Sequence, residues 1–234
     1  MQKIIIGIQA RSNNTRYPGK LHKVIDGKTV LRKIIEAVRH SERFINRSDY
    51  NGQIESVLVI PEGDEIGELY KDTIDIYEGP EDDVLTRYSD CLKHYDGEKI
   101  CRVTADCYFM VSHVISRCIK AALRKKYDYV SNVLVRTYME GHDVEVISRP
   151  LLKWLDHVVK DPNHREHVTS YIKTSLINGS FPNEFDVCNI MQGFDLSSIK
   201  TSIDTEEEYK KALKMVDNMK KKILEAKKYG TYYL

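Results

Sequence analysis

Arg11, Arg16 and Lys20 fall in a ten-residue stretch that holds no acid, and Asp26 is the first carboxylate of the chain. Arginine forks onto phosphate oxygens, and lysine adds a point charge on a flexible stem. Asn13, Asn14, Pro18 and Gly19 lie between them. Asparagine tolerates left-handed backbone and glycine adopts it freely, so the loop can turn its N–H groups inward around an anion. Charge and spacing alone imply anion binding, with a solvated basic loop as the plain alternative. A Walker A loop is excluded, because Gly19-Lys20 runs into Leu21 and the first glycine of GxxxxGK[ST] is missing. No dinucleotide GxGxxG is present either.

Carboxylates supply the second set of candidates. Asp106 follows a strand expected at 99–104, and Asp204 follows another expected at 200–203. Two aspartates delivered from separate strands suit a hard cation such as Mg²⁺, which takes one or two carboxylates plus substrate phosphates. Asp204 has a rival role, because Thr205 and Glu208 beside it have the spacing of a helix capping box. Asp106 read alone is a loop acid. Asp82 and Asp83 open a helical pattern, where acids complement the dipole. Arg102 and Thr104 share a strand face by parity, with a structural salt bridge as the plain alternative for Arg102, and Asp143 and Glu145 share another. Two like charges on one face call for a cation, a proton or a basic substrate, unless they are simply solvated. His142 and His167 are candidate bases or satisfied structural histidines. Glu166 adjoins His167, so on a helix the two side chains do not face each other.

The elements that must hold these residues alternate between strand and helix. Strands are expected at 3–9, 54–60, 74–77 and 99–104. Helices are expected around Val30–Val38, from Asp64 to about Lys71, over Asp82–Tyr95, and over Ser112–Lys126 with Ser112 as N-cap. That β-α repetition implies a mostly parallel, three-layer α/β sheet, whose ligands sit beyond the carboxyl ends of the strands. The second half is less regular. It offers strands at 143–147, 184–191 and 200–203, helices at 150–160 and 165–178, and a long helix over Thr205–Lys228.

Composition narrows the setting. The chain has 234 residues, 41% apolar and 30% charged, with a net charge of +1, so no global field attracts nucleic acid or anionic membrane. No signal peptide or membrane span is recognisable, and five cysteines form no CxxC pair. A reduced, cytoplasmic protein with inert buried thiols is expected. The tail with Tyr232 and Tyr233 offers a dimer contact.

The run Gln9-Ala10-Arg11-Ser12-Asn13-Asn14-Thr15-Arg16-Tyr17-Pro18-Gly19-Lys20 closely resembles QARxxSTRxPGK, the opening motif of the CMP-sugar synthetase-like cytidylyltransferases. Within that family the chain looks most like the spore-coat polysaccharide branch. Acylneuraminate and 3-deoxy-manno-octulosonate cytidylyltransferases are more distant. Asn13 and Asn14 stand where the family usually has Gly or Ser. Further resemblances are Gly79–Tyr88 to G-x-EDDVLxRY, Arg102–Asp106 to R-[IV]-T-[GA]-D, Gly141–Val146 to G-x-DVEV, Arg165–Ile172 to REHVTxYI and Ser202–Thr205 to [TS]-[VI]-D-T. Cys107-Tyr108 departs from the usual continuation with proline.

The resemblance implies a Rossmann-like nucleotidyltransferase domain of glycosyltransferase-A-like fold over 1–234, with 135–190 as an acceptor-binding and dimerisation portion. It implies transfer of CMP from CTP to a small sugar-like or acidic acceptor, in a cytoplasmic homodimer that engages neither nucleic acid nor membrane. Gln9, Ala10, Arg11, Ser12, Asn13, Arg16 and Lys20 would hold the nucleotide, joined by Pro80, Asp82, Asp83, Arg87, Thr104 and Asp106. Arg11, Lys20, Asp106 and Asp204 would be catalytic, the two aspartates binding Mg²⁺ (or Mn²⁺). Arg102, His142, Asp143, Glu145, Glu166 and His167 would face the acceptor. A nucleotide-sugar-dependent glycosyltransferase and a non-enzymatic nucleotide sensor or scaffold are the competing readings.

Overall fold

The computed structural model describes residues 2–48 and 52–229. Alternating isoleucines set its centre. Strand β1 (Gln2–Gln9) sends Ile4, Ile6 and Ile8 to one face and Ile5 to the other, all fully buried. At about 1.5–3 kcal/mol for each such side chain, this strand must be covered on both sides. It pairs in parallel with β4 (Gly52–Pro61) and β6 (Lys99–Thr104), and β5 (Asp75–Gly79) pairs in parallel with β4. Beyond β6 come β8 (Glu145–Ser148), β7 (Tyr129–Ser131) and β9 (Val187–Asn189). The seven-stranded order is β5-β4-β1-β6-β8-β7-β9, and β8 runs against the rest. The expected three-layer, mostly parallel sheet is therefore observed.

One face is packed by α1 (Val30–Asn46) and α4 (Ser112–Arg124), the other by α3 (Val84–His94), α5 (Arg149–Val158) and α7 (Ser170–Ile177). Thr29 caps α1 by accepting from the Arg32 amide, and Val30, Leu31, Ile34, Ile35 and Val38 form its buried stripe as their spacing predicts. Helix α2 (Glu65–Tyr70) is capped by Asp64. The hairpin β2 (Val24–Ile25) and β3 (Lys28–Thr29) turns at Asp26-Gly27, both with positive φ. No helix among the described residues is long and apolar enough to cross a membrane. The five cysteines carry no disulfide, and burial pushes the Cys91 thiol up to about 12.

Several expected elements differ. The helix expected over 165–178 is two helices, α6 (Pro162–Glu166) and α7, because Val168 adopts φ 53° between them. Residues 200–203 form no strand. A single bridge joins Glu140 to Lys200, and the partner segment then swings away at Gly141, whose φ is 100°. Asp82 lies outside α3, which begins after Asp83, and Asp143 lies outside β8. Ser112 is the first residue of α4 rather than its cap, since Val111 holds the extended N-cap backbone. The strand expected over 184–191 is limited to β9. The closing helix α8 (Glu206–Tyr229) is present, and Tyr232 and Tyr233 lie outside the described residues.

Candidate active site

The chain leaves β1 toward β4 on one side and later returns to β6 on the other, so the sheet changes winding direction between β1 and β6. Crevices at such switch points, beyond the carboxyl ends of the strands, are where open α/β sheets bind ligands. A cleft of about 190 Å³ opens at this point. Its floor is Gln9 and Ala10 from the end of β1, and Arg102, Thr104, Ala105 and Asp106 from the end of β6.

The basic loop forms one wall. Arg11, Asn14, Arg16 and Lys20 line the cleft. The loop is tied down from outside and within: the Ser12 amide donates to Asp64 Oδ2 at 2.8 Å, and Asn14 Nδ2 donates to the Arg11 carbonyl inside the loop at 2.7 Å. Gly19 turns the backbone at φ 68° into a short 3-10 turn that starts with Lys20. Ser12 therefore anchors the loop, and neither it nor exposed Asn13 lines the cleft.

Lys20 reaches both sequence-predicted aspartates. Its Nζ lies 3.0 Å from Asp106 Oδ2 and 3.0 Å from Asp204 Oδ1. Burial pulls the Lys20 ammonium down, but the two carboxylates outweigh it and raise its pKa. Burial pushes Asp204 up, and Lys20 with Lys200 overrides this to hold the carboxyl below its usual range. The two aspartate segments are locked together through the backbone, since the Ile203 amide donates to the Asp106 carbonyl at 3.0 Å. The capping box at the start of α8 is made by Thr205 and Glu208, which exchange backbone-to-side-chain hydrogen bonds. The rival role for Asp204 is thus filled by its neighbours, and its carboxylate turns to the two lysines.

Opposite the basic loop stand Glu81 and Val84 at the start of α3, and Glu166 and His167 at the end of α6. Arg11 Nη2 and Glu166 Oε1 approach across the cleft to 3.6 Å. Arg87 lines the cleft at 1% exposure, but two of its nitrogens donate internally. Nε and Nη2 reach the Pro80 and Glu81 carbonyls at 2.8 and 2.7 Å, so it fixes the turn beside the cleft.

Other anticipated residues have partners elsewhere. Asp83 caps α3 and pairs with Arg165 at 2.8 Å, away from the cleft lining. Pro80 and exposed Asp82 also lie outside that lining. The cation that Asp143 and Glu145 call for is supplied in each case by an arginine. Arg136 grips Asp143 with both terminal nitrogens, and Arg102 Nη1 meets Glu145 at 2.8 Å. Glu145 also accepts from Tyr129 at 2.5 Å, and Arg102 Nε donates to Gln9 Oε1 at 3.0 Å. This buried chain fixes which end of the Gln9 amide is taken. His142 is buried, which lowers its pKa, and it does not line the cleft. Asn14, Leu21, Glu81, Val84 and Ala105 line the cleft without having been expected. Glu81 and Asn14 sat inside motifs already in view, whereas Leu21, Val84 and Ala105 carry no chemical signal of their own.

The family model for cytidylyltransferases matches residues 4–229. The chain belongs to the cytidylyltransferase family. As a member it is a nucleotidyl-transferring enzyme, which decides against the glycosyltransferase reading. The spore coat polysaccharide biosynthesis protein SpsF of Bacillus subtilis is 26% identical over 216 residues, 89% of this chain and 84% of that protein. A cytidylyltransferase from Leptospira borgpetersenii superposes with a TM-score of 0.78 at 23% identity, covering 100% of both chains. A CMP:2-keto-3-deoxy-manno-octonic acid synthetase solved with CTP superposes at 0.67 and 10% identity, covering 93% of this chain and 100% of that one.

Proposed function

We propose that this cytidylyltransferase transfers CMP from CTP to an oxygen of a small sugar-like or acidic acceptor, releasing pyrophosphate. The observation that carries this reading is the convergence of Asp106 and Asp204 on Lys20 at the sheet's switch point, beside Arg11 and Arg16. Arg11, Arg16 and Lys20 present three positive charges to a triphosphate, and Gln9, Ala10 and the Glu81–Val84 turn bound the space left for the nucleoside. A fold neighbour solved with CTP agrees with that ligand.

Asp106 and Asp204 offer hard oxygen donors already gathered around one cation, the Lys20 ammonium, so the donor set fits Mg²⁺ or Mn²⁺. When bound, such an ion supplies Lewis-acid stabilisation of phosphoryl charge. The chain's own residues position and neutralise. Arg11 and Lys20 stabilise the charge that grows on the leaving pyrophosphate as the acceptor oxygen attacks the α-phosphorus. Glu166 and His167 stand on the opposite wall, where an acceptor would lie, and Arg102 serves there through Gln9.

The likeness to SpsF supports a role in precursor synthesis for a surface polysaccharide. We place acceptor binding and contact with a second copy in 135–190, where Val135 and Ile177 are exposed at 57% and 74%. The absence of any strong global charge fits a cytoplasmic enzyme acting on small molecules.

The test is pyrophosphate release with CTP, UTP, ATP and GTP against a panel of acidic sugars. CTP with one acceptor class should dominate. Arg11→Ala and Asp106→Asn should each lower the rate by about 10²–10³. Wild-type rates in both variants would overturn the site, and CTP binding without turnover on any acidic sugar would overturn the proposed acceptor class.

A further inference from the structure

Lys20 is 8% exposed, and its ammonium is shared between two carboxylates that come from distant parts of the chain. Two aspartates brought this close repel each other unless a cation lies between them. Lys20 supplies that cation on one side. Lys200 approaches the other oxygen of Asp204 at 3.4 Å while also serving Glu140 and Glu208. A divalent cation would seek the same Asp106 and Asp204 oxygens, so it and the Lys20 ammonium compete for them. An ammonium displaced into a largely buried position without a partner is costly, so it needs another anion. The cleft that Lys20 lines is the one bounded by Arg11 and Arg16, where a triphosphate would provide it. Two features permit the swing. A lysine stem has four rotatable carbons, and Gly19 before it supplies a left-handed pivot.

We propose that Lys20 is a built-in counter-ion for the aspartate pair, which a divalent cation displaces when a nucleoside triphosphate arrives to receive the lysine. This rests on the metal-and-triphosphate reading given above. Metal and nucleotide then bind as a coupled pair, each strengthening the other by the same factor. Without nucleotide, the aspartates stay neutralised by the chain itself and hold metal weakly.

The experiment measures Mn²⁺ binding by electron paramagnetic resonance, with and without a CTP analogue carrying methylene between the α and β phosphates. Wild type should bind Mn²⁺ weakly alone and at least tenfold more tightly with the analogue. Lys20→Met should bind Mn²⁺ alone at least tenfold more tightly than wild type, and the gain from the analogue should shrink to what the added phosphate ligands alone supply. Lys20→Arg, which keeps the charge, should stay weak alone. If Lys20→Met melts early, Lys20→Gln carries the same expectation. Metal binding by the neutral variants no tighter than wild type overturns the proposal. Asp106→Asn separates this from failure of the metal reading. If Asp106→Asn weakens Mn²⁺ binding but the neutral Lys20 variants do not strengthen it, only the counter-ion role falls. If Asp106→Asn leaves Mn²⁺ binding unchanged, the metal reading falls, and the counter-ion role with it.

Discussion

Arg102→Met tests whether the floor of the cleft is held by a buried charge pair. The Arg102 and Glu145 side chains are 14% and 5% exposed, and their contact is 2.8 Å. Methionine keeps most of the volume but removes the charge, leaving Glu145 with only Tyr129 as a partner. Removing one member of a buried pair costs about 3–5 kcal/mol, most of it from the orphaned charge. In a chain of this size each kcal/mol moves the melting temperature by about 2–4 °C, so a fall of about 6–20 °C is expected. Glu145→Gln in the same chain removes the orphaned charge while keeping an acceptor for Tyr129, so the double variant should be more stable than Arg102→Met alone. Urea unfolding and thermal melts followed by circular dichroism read both. An Arg102→Met chain within about 1 kcal/mol of wild type, or a double variant no better than the single, would refute the reasoning.

Three further outcomes follow from other contacts. Asp83 is pushed up by burial but held below its ordinary value by Arg165 and Thr86, so its contribution is present above the unfolded carboxyl pKa, about 3.9, and is lost as pH falls through the lower folded value. Asp83→Asn should therefore melt below wild type at pH 7, with the gap closing in melts below about pH 4, whereas a gap constant with pH would contradict the pairing. Gly141→Ala would set a Cβ 2.6 Å from the Ser202 nitrogen at φ 100°, so it should disturb the segment that delivers Asp204 and depress pyrophosphate release; wild-type kinetics would count against that delivery route. Thr205→Ala removes the α8 cap and should cost about 1 kcal/mol by urea unfolding, and no loss would show the box to be dispensable.

What the sequence made legible follows physical periodicity. β1, α1, β4 and β6 are long enough for buried faces to repeat, and their boundaries are observed within about two residues except where α1 continues to Asn46. The basic loop was legible because charge in a short stretch without acids is visible with no geometry. The hairpin β2–β3 carried a readable Asp26-Gly27 turn signal, but two-residue strands have no period to detect. The partners of Asp83, Asp143 and Glu145 were not legible. Arg165, Arg136 and Arg102 reach them through tertiary contacts, and a motif of carboxylates looks the same whether a ligand or an arginine neutralises it. The break at Val168 was hidden for a related reason: a buried β-branched residue with positive φ is imposed by its surroundings and opposed by its own propensity.

The regular half of the chain and the irregular half do different work in building the cleft. The parallel strands bring Gln9 and Thr104 to one edge, as the winding of the sheet requires, and Asp106 follows two residues later. Asp204 has no strand to bring it there. It arrives through a single bridge at Lys200, a glycine turn at Gly141 that only a residue without a side chain fits, and the amide of Ile203 on the Asp106 carbonyl. Each of these contacts ties the segment to the backbone rather than to a side chain that substitution could remove. The second aspartate is thereby held in fixed register with the first, while Lys20 meets both through the end of a flexible side chain. With the anions fixed by backbone, exchange of their counter-ion as proposed above would need only a side-chain rearrangement and no refolding of the walls.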